Sequence, residues 1–464
     1  MRCPVSLRHL LPVLLLAGAP LPTIAASVPA PVPHLALKRS TPTDRDRLPA
    51  SPARISLWFT ARPELAFSRI SLSGVNGSIV LDTIVADTGN ALHATIPRPL
   101  TAGDYQVAWR TASADGHPIR GTFTFTVLGP SPDTAAARAE TRPRDSPDPH
   151  AEHRAARSQE HTDYRSARWV EFVALITVLG ALGFRHGVLP PLAARGVPTA
   201  DAADRARALG QGALFLYALA AIVRLFTESV ALHGRAQALA PDALLPLLGR
   251  TSWGMGWMTG IVGALLLSAG WAISKRGVTM GTPLALTGAL GLVASPALTG
   301  HAASSSWFIA AVTLDMLHVL AAGVWIGGLL MVLLAGVPAM KRLADGNPDA
   351  AVSALVNSFH PIALFCAPIV VVAGLGTSML RLGGLAPLTT TRYGVTLLVK
   401  VGIFLVVAAI ALYNSTRARR QLGTPDATSH LRRTAALELL LAALVIAATA
   451  FLVTAPAPSL MTQP

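Results

Sequence analysis

Three ionisable residues, His301, Asp315 and His318, stand in the otherwise apolar stretch from Gly300 to Leu329. Ionisable groups in hydrocarbon are costly, so by default they mark an ion or substrate path. Asp315 and His318 are three residues apart, which puts them on one face of a helix. Trp325 lies two turns further on, and Gly327 and Gly328 allow a neighbouring helix to approach closely. Taken alone, the stretch also fits a polar pair that satisfies itself inside a bundle.

The elements that must position these residues are membrane helices. The chain has 464 residues, of which 52% are hydrophobic and only 13% charged, and its mean hydropathy is +0.50. Those values exclude an ordinary soluble enzyme and point to a polytopic membrane protein. The formal net charge of +14 fits either nucleic-acid binding or basic cytoplasmic loops. The charges sit between apolar spans, which selects the loops. Two cysteines, Cys3 and Cys366, provide no cluster for zinc or iron–sulfur.

Eight spans are expected, at about 168–188, 209–231, 253–274, 281–299, 308–335, 361–380, 394–413 and 434–454. Basic residues in the loops after odd-numbered spans (Arg185, Arg195, Arg205, Arg207, Lys275, Arg276, Lys341 and Arg342 among them) outnumber Arg235, Arg250, Arg381 and Arg392 on the other side. By the positive-inside rule the first span then runs inward and both termini lie outside. This topology puts many candidate donors toward the outer side: His301, His318, Asp315, His233 and the pair Met255 and Met258. Arg224 and Glu228 share a face and are expected to form an ion pair. His360 and Glu438 fall near the inner face, at a candidate exit.

Residues 1–26 have the form of a secretory signal: Arg2 and Arg8, a short apolar core from Leu10 to Leu16, then small residues. Residues 34–128 change character. Ile55–Phe59, Ile70–Leu72, Tyr105–Trp109 and Thr122–Val127 alternate apolar and polar, with Gly74, Asn76-Gly77, Gly103 and Asp115-Gly116 between them. Short alternating strands at this spacing predict an all-β, Ig-like sandwich. Residues 129–165, rich in Pro, Arg, Asp and Glu, read as a solvated, disordered linker, and 166–456 as an all-α transmembrane domain.

The segments PHLALKRSTP, RISLWF and LTAGDYQVAWRTASADGHPIRGTFTFTV resemble the CopC family of periplasmic copper-binding proteins. The resemblance implies a Cu(II) site at His34, Asp115 and His117, a nitrogen and oxygen set that Cu(II) favours. In that family the first histidine is usually the mature N-terminus, whereas here SVPAPVP stands before His34. The domain also has no methionine. The segments LTGHA, DMLHVLAAGVWIGGL, YGVTLLVK and the late Glu438 resemble the CopD family of copper-resistance membrane proteins. His360, where relatives often carry serine, is outside that resemblance.

Together the two resemblances imply a copper-binding and copper-importing protein of the bacterial inner membrane, with no enzymatic activity. Copper is Cu(II) in the sandwich and Cu(I) or Cu(II) in the bundle, where His301 and His318 line the path. Asp315, His233, Met255 and Met258 are secondary candidates. The partners are copper ion, the lipid bilayer and periplasmic copper chaperones. Nucleic acid and ATP are excluded, and no G-x-x-x-x-G-K-[ST] loop is present. Two other readings stay open: a haem b electron carrier with His301 and His318 as ligands, and a copper sensor or buffer that does not transport.

Overall fold

The computed structural model describes residues 35–87, 89–112, 116, 118–128, 149–300, 302, 307–343, 347–382, 385–417, 419 and 425–454, with the backbone alone described for 149–161, 425–428 and 454. The expected signal segment and the first part of the expected linker lie outside these residues, as do His34, Asp115, His117 and His301.

The alternating segments become strands of a two-sheet sandwich. One sheet has the order β1 (Leu37–Thr41), β3 (Arg54–Phe59), β7 (Ala91–Thr95), β6 (Val85–Ala86). The other has the order β2 (Asp46–Leu48), β9 (Pro118–Val127), β8 (Gly103–Ala112), β4 (Arg69–Gly74), β5 (Gly77–Ile79). All pairings are antiparallel except β2 with β9. Period-two alternation turns one set of side chains inward. Phe123, Phe125 and Val127 are buried while their threonine neighbours are not, and Ile55, Leu57, Leu72 and Val107 complete the core between the sheets. Each such side chain contributes about 1.5–3 kcal/mol. His93 is structural, as its place in a strand suggests. Its ring bridges Ser56 Oγ at 2.9 Å and Asp87 Oδ2 at 3.1 Å. That bond, and then the Gly89 backbone N–H, hold the Asp87 carboxyl below its usual range.

The longest strands, β8 and β9, form a hairpin paired from Gly103–Val127 up to Ala112–Pro118. Its connecting turn carries the Asp115-Gly116-His117 sequence.

Among the described residues, eight helices are long and apolar enough to cross a membrane. They are α1 (Pro149–Gly183, continued by a π-helical turn to Ala193), α2 (Ala200–His233), α4 (Ser252–Ser274), α5 (Gly281–Leu298), α6 (Phe308–Ala322, continued through two π-helical turns to Lys341), α7 (Pro348–Leu382), α8 (Arg392–Thr416) and α9 (Pro425–Thr454). A short helix, α3 (Pro241–Arg250), connects α2 to α4.

All eight expected spans are present, but most are longer than hydropathy indicates. Hydropathy detects the apolar middle, whereas helical hydrogen bonding continues into polar turns. Thus α1 begins at Pro149, so the second part of the expected disordered linker is helical. Its Ala, Glu and Arg residues are good helix formers. Likewise α7 starts at Pro348, with Pro361 and Pro368 inside it rather than at its start. Neighbouring helices make such prolines tolerable in membrane spans.

Small residues set the crossings. A Cβ on Gly327 would collide with the Ile176 carbonyl of α1, and one on Gly180 would collide with the backbone of Gly327. Gly328 lies against Phe359 of α7, 2.9 Å from where its Cβ would be. Glycine at these positions therefore brings α6 into backbone contact with α1, as the sequence pattern suggests.

Replacing Gly327 by leucine should destabilise the bundle by about 3 kcal/mol, the upper end for overpacking, because backbone rather than a flexible side chain blocks the space. Gly402→Leu, where nothing lies within 4 Å of the added Cβ, should be near neutral. Thermal unfolding of both variants in detergent measures the difference.

Candidate functional site

The sandwich is seated on one end of the bundle through the end that carries the β8–β9 turn. Gly116, with φ +81°, lies where a Cβ would come within 3.1 Å of Trp253 Cβ and 3.2 Å of Thr251 Cβ. A positive φ and this close approach both favour glycine. Around it Phe67 and Ala112 of the sandwich share a buried cluster with Leu232, Leu247 and Trp253 of α2, α3 and α4. Arg110 donates from Nη2 to the His233 carbonyl at 2.8 Å, closing the C-terminus of α2, where carbonyls lack helical partners. Burial at this seam, with Arg69 and Arg120 nearby, pushes the Arg110 guanidinium below the ordinary arginine range. The His233 ring meets Phe67 edge-on at 5.7 Å. Thr251 caps α4 by accepting the Gly254 N–H at 2.9 Å.

Directly beneath the seam is a buried charge cluster. Arg224 of α2 donates to both oxygens of Glu171 of α1 at 2.7 and 2.6 Å, and Arg168 adds a bond at 3.2 Å. All three are essentially inaccessible to solvent. The expected partner of Arg224 was Glu228, on its own helix. The carboxylate it bonds is instead Glu171, across the helix pair. The Trp253 ring lies 5.5 Å from the Arg224 guanidinium, so this cluster supports the residue on which the hairpin turn rests.

Further along the bundle, His318 is held in a prepared orientation. Its Nδ1 is 3.0 Å from the Val370 carbonyl of α7. A carbonyl can only accept, so Nδ1 carries a proton, and in the neutral tautomer Nε2 is the nitrogen with the lone pair. Gly374 makes room, since a Cβ there would be 3.0 Å from His318 Cε1. A carbonyl behind an imidazole is the support commonly found behind metal-ligating histidines.

Asp315 does not pair with His318. Its carboxylate accepts from Arg381 Nη2 at 2.7 Å and from Thr377 Oγ1 at 3.2 Å. Each of its oxygens therefore already accepts one hydrogen bond, from groups on α7. Arg381, expected in an outer loop, stands in the last turn of α7 instead. The signal that could have found it is the rule that a carboxylate in a span needs a cation on a neighbouring span. Lys400 of α8 also interacts electrostatically with His318.

Met255 and Met258 are 55% and 37% exposed and lie on the outward face of α4, opposite Trp253 and Gly256. Helical periodicity sends them away from the neighbouring spans. Among the described residues, no three His, Cys, Asp or Glu side chains come together as a metal cluster.

Three family models match the chain in succession: the CopC domain over residues 37–128, the copper resistance protein D-like N-terminal domain over 163–308, and copper resistance protein D over 353–452. The chain is 36% identical over 103 residues to copper resistance protein C of Escherichia coli, a match covering 20% of this chain and 81% of that protein. The chain belongs to the CopC–CopD copper-resistance family. Along most of its length it is also similar to the copper transport protein CutJ of Bacillus subtilis, at 25% identity over 404 residues, 84% of this chain and 69% of that protein. Among solved structures it is similar to PcoC, a methionine-rich copper resistance protein from Escherichia coli, at 31% identity over 20% of this chain and 99% of that one, with a TM-score of 0.19. The CopC match contains the β8–β9 hairpin. Val370, Gly374 and Arg381 lie in the CopD match, whereas His318 falls between the two bundle matches.

Gly116→Val should release the sandwich from the bundle without unfolding either. Spin labels at the exposed positions Val75 and Leu239 should give a narrow distance distribution in the wild type and a broad one in the variant. An unchanged distribution would mean that the turn does not anchor the seam.

Proposed function

We propose that this protein captures copper in its sandwich and carries it through the bundle into the cell, without enzymatic chemistry and without ATP. The observation that carries this reading is the seam. Gly116, the described residue between β8 and β9, lies against Thr251 and Trp253 at the end of the bundle. A cation held at His34, Asp115 and His117 would be released where the spans begin, rather than into bulk solvent.

On this reading the seam faces the periplasm of a bacterial inner membrane, as the distribution of basic loop residues suggests. Cu(II) suits the imidazole and carboxylate set of the sandwich. His301 and then His318 receive the ion. The His318 Nε2 lone pair is a suitable donor for either oxidation state of copper. Arg381 and Lys400 stand against the single carboxylate of Asp315, so a cation at His318 feels net repulsion and binds weakly. Weak, successive sites are what conduction requires. The name of the Bacillus subtilis relative, a copper transport protein, agrees with transport.

The test is time-resolved copper uptake into cells expressing the wild type, His318→Ala or Gly374→Val at matched surface abundance. Gly374→Val leaves the imidazole in place but occupies the space that orients it. Both variants should lower the uptake rate by about tenfold, the scale on which losing a ligand or its support acts. Equal accumulation in all three would remove His318 from the path. Wild-type accumulation no higher than the empty vector would overturn import, and a Soret band in the purified protein would then favour the haem reading.

A further inference from the structure

In the half of the bundle away from the sandwich, α6, α7, α8 and α9 line a partly open cavity of about 80 Å³. Trp325, His360, Asn414, Ser415 and Glu438 contribute to its lining. Successive spans reverse direction, so depth can be read from helical rise. His318 lies about 15 Å below the sandwich end of α6, Trp325 about 25 Å and His360 about 33 Å below that end of α7. Trp325 is buried and meets Phe404 of α8 edge-on at 6.4 Å. It stands between His318 and the cavity, within the π-helical turn Gly323–Gly327. Such turns are rare and are often found at functional sites.

Glu438 is 3% exposed, and its one hydrogen-bond partner among the described residues is Asn414 Nδ2 at 3.3 Å. Asn414 is itself oriented by Thr434 Oγ1, 2.7 Å from its Oδ1. The contrast with the other buried carboxylates is informative. Glu171 has two arginines and Asp315 has one. Arg419 lines the same cavity, but it bonds the Ser415 carbonyl at 3.2 Å and Asn357 Oδ1 at 3.1 Å. Arg432 is exposed at the rim. A buried carboxylate without a cationic partner is stable only when it holds a proton or a metal ion. Beside it, His360 offers an imidazole whose Nδ1 lies 3.4 Å from Ser415 Oγ.

We propose that this cavity is a second site for the transported cation, beyond a Trp325–Phe404 plug, where Glu438 receives the ion and His360 leads it out. The inference rests on the transport reading above. One carboxylate, one imidazole and one amide form a loose donor set, suited to release rather than storage. When the site is empty, the Glu438 carboxyl holds a proton, which leaves as the cation binds.

The test uses the full-length protein in vesicles, with Cu(I) as the probe and a hydrophobic carbodiimide, which modifies buried protonated carboxyls. Cu(I) should slow modification of Glu438, read by mass spectrometry, by about tenfold, and Glu438→Gln should lower copper uptake by a similar factor. His360→Ala should slow uptake while Glu438 stays protected. Unchanged modification with Cu(I), together with wild-type uptake by Glu438→Gln, would overturn the proposal. If Glu438→Gln fails to reach the membrane, Glu438→Asp keeps the carboxyl, and its protection or lack of protection decides in the same way. Wild-type uptake with an unprotected Glu438 would sink the cavity site and leave transport standing. Protection without uptake would support the cavity as a cation site and sink transport.

Discussion

The bundle depends on one buried carboxylate. Glu171 lies between Arg168 and Arg224 with almost no access to solvent. Removing one partner from such a cluster typically costs about 3–5 kcal/mol, because the remaining charge is stranded. That is comparable with the whole stability margin of many domains. The cluster therefore fixes how α1 meets α2. Trp253 of α4 lies over Arg224, and the hairpin turn of the sandwich lies on Trp253. A single chain of contacts thus runs from the bundle interior to the copper-family domain. The position of the sandwich is determined by charges inside the spans as much as by its own surface.

The same economy of space governs α6. Glycines at 180 and 327 remove the side chains that would hold α1 and α6 apart. Gly374 does the same between α7 and the His318 ring. Close packing then makes a backbone carbonyl, Val370, available to a side chain from another helix. That one bond selects the tautomer of His318 and so decides which nitrogen is offered to a ligand. Replacing a small residue far from any ligand can therefore act on the chemistry of the imidazole.

Much of this was legible in the sequence. Alternation located the main core strands, apolar runs located all eight spans, and Gly327 and Gly328 announced a close helix crossing. The failures share a cause. Hydropathy and local spacing describe one element at a time, whereas ion pairs join elements distant in the chain. Arg224 therefore looked to Glu228 on its own helix, when its carboxylate is Glu171, 53 residues away. Asp315 looked to His318, when its partner is Arg381, 66 residues away. Met255 and Met258 were at a plausible depth, but depth does not fix the face a residue turns to. The linker was misjudged where polar composition and helix propensity coincide, from Pro149 onward.

The treatment of carboxylates divides the bundle into structural and working parts. Where a carboxylate is saturated by arginine, as Glu171 is, an arriving cation must displace a guanidinium already bonded to both oxygens. That exchange is unfavourable in a medium where the displaced charge has no water to go to. Such a group can hold helices together but cannot hand an ion onward. His318 and Glu438 are different. Each is oriented by a single neutral group, the Val370 carbonyl and the Asn414 amide, and each keeps coordinating capacity in reserve. A path built from lightly supported donors, framed by heavily compensated charges, allows the frame to stay rigid while the donors exchange ligands.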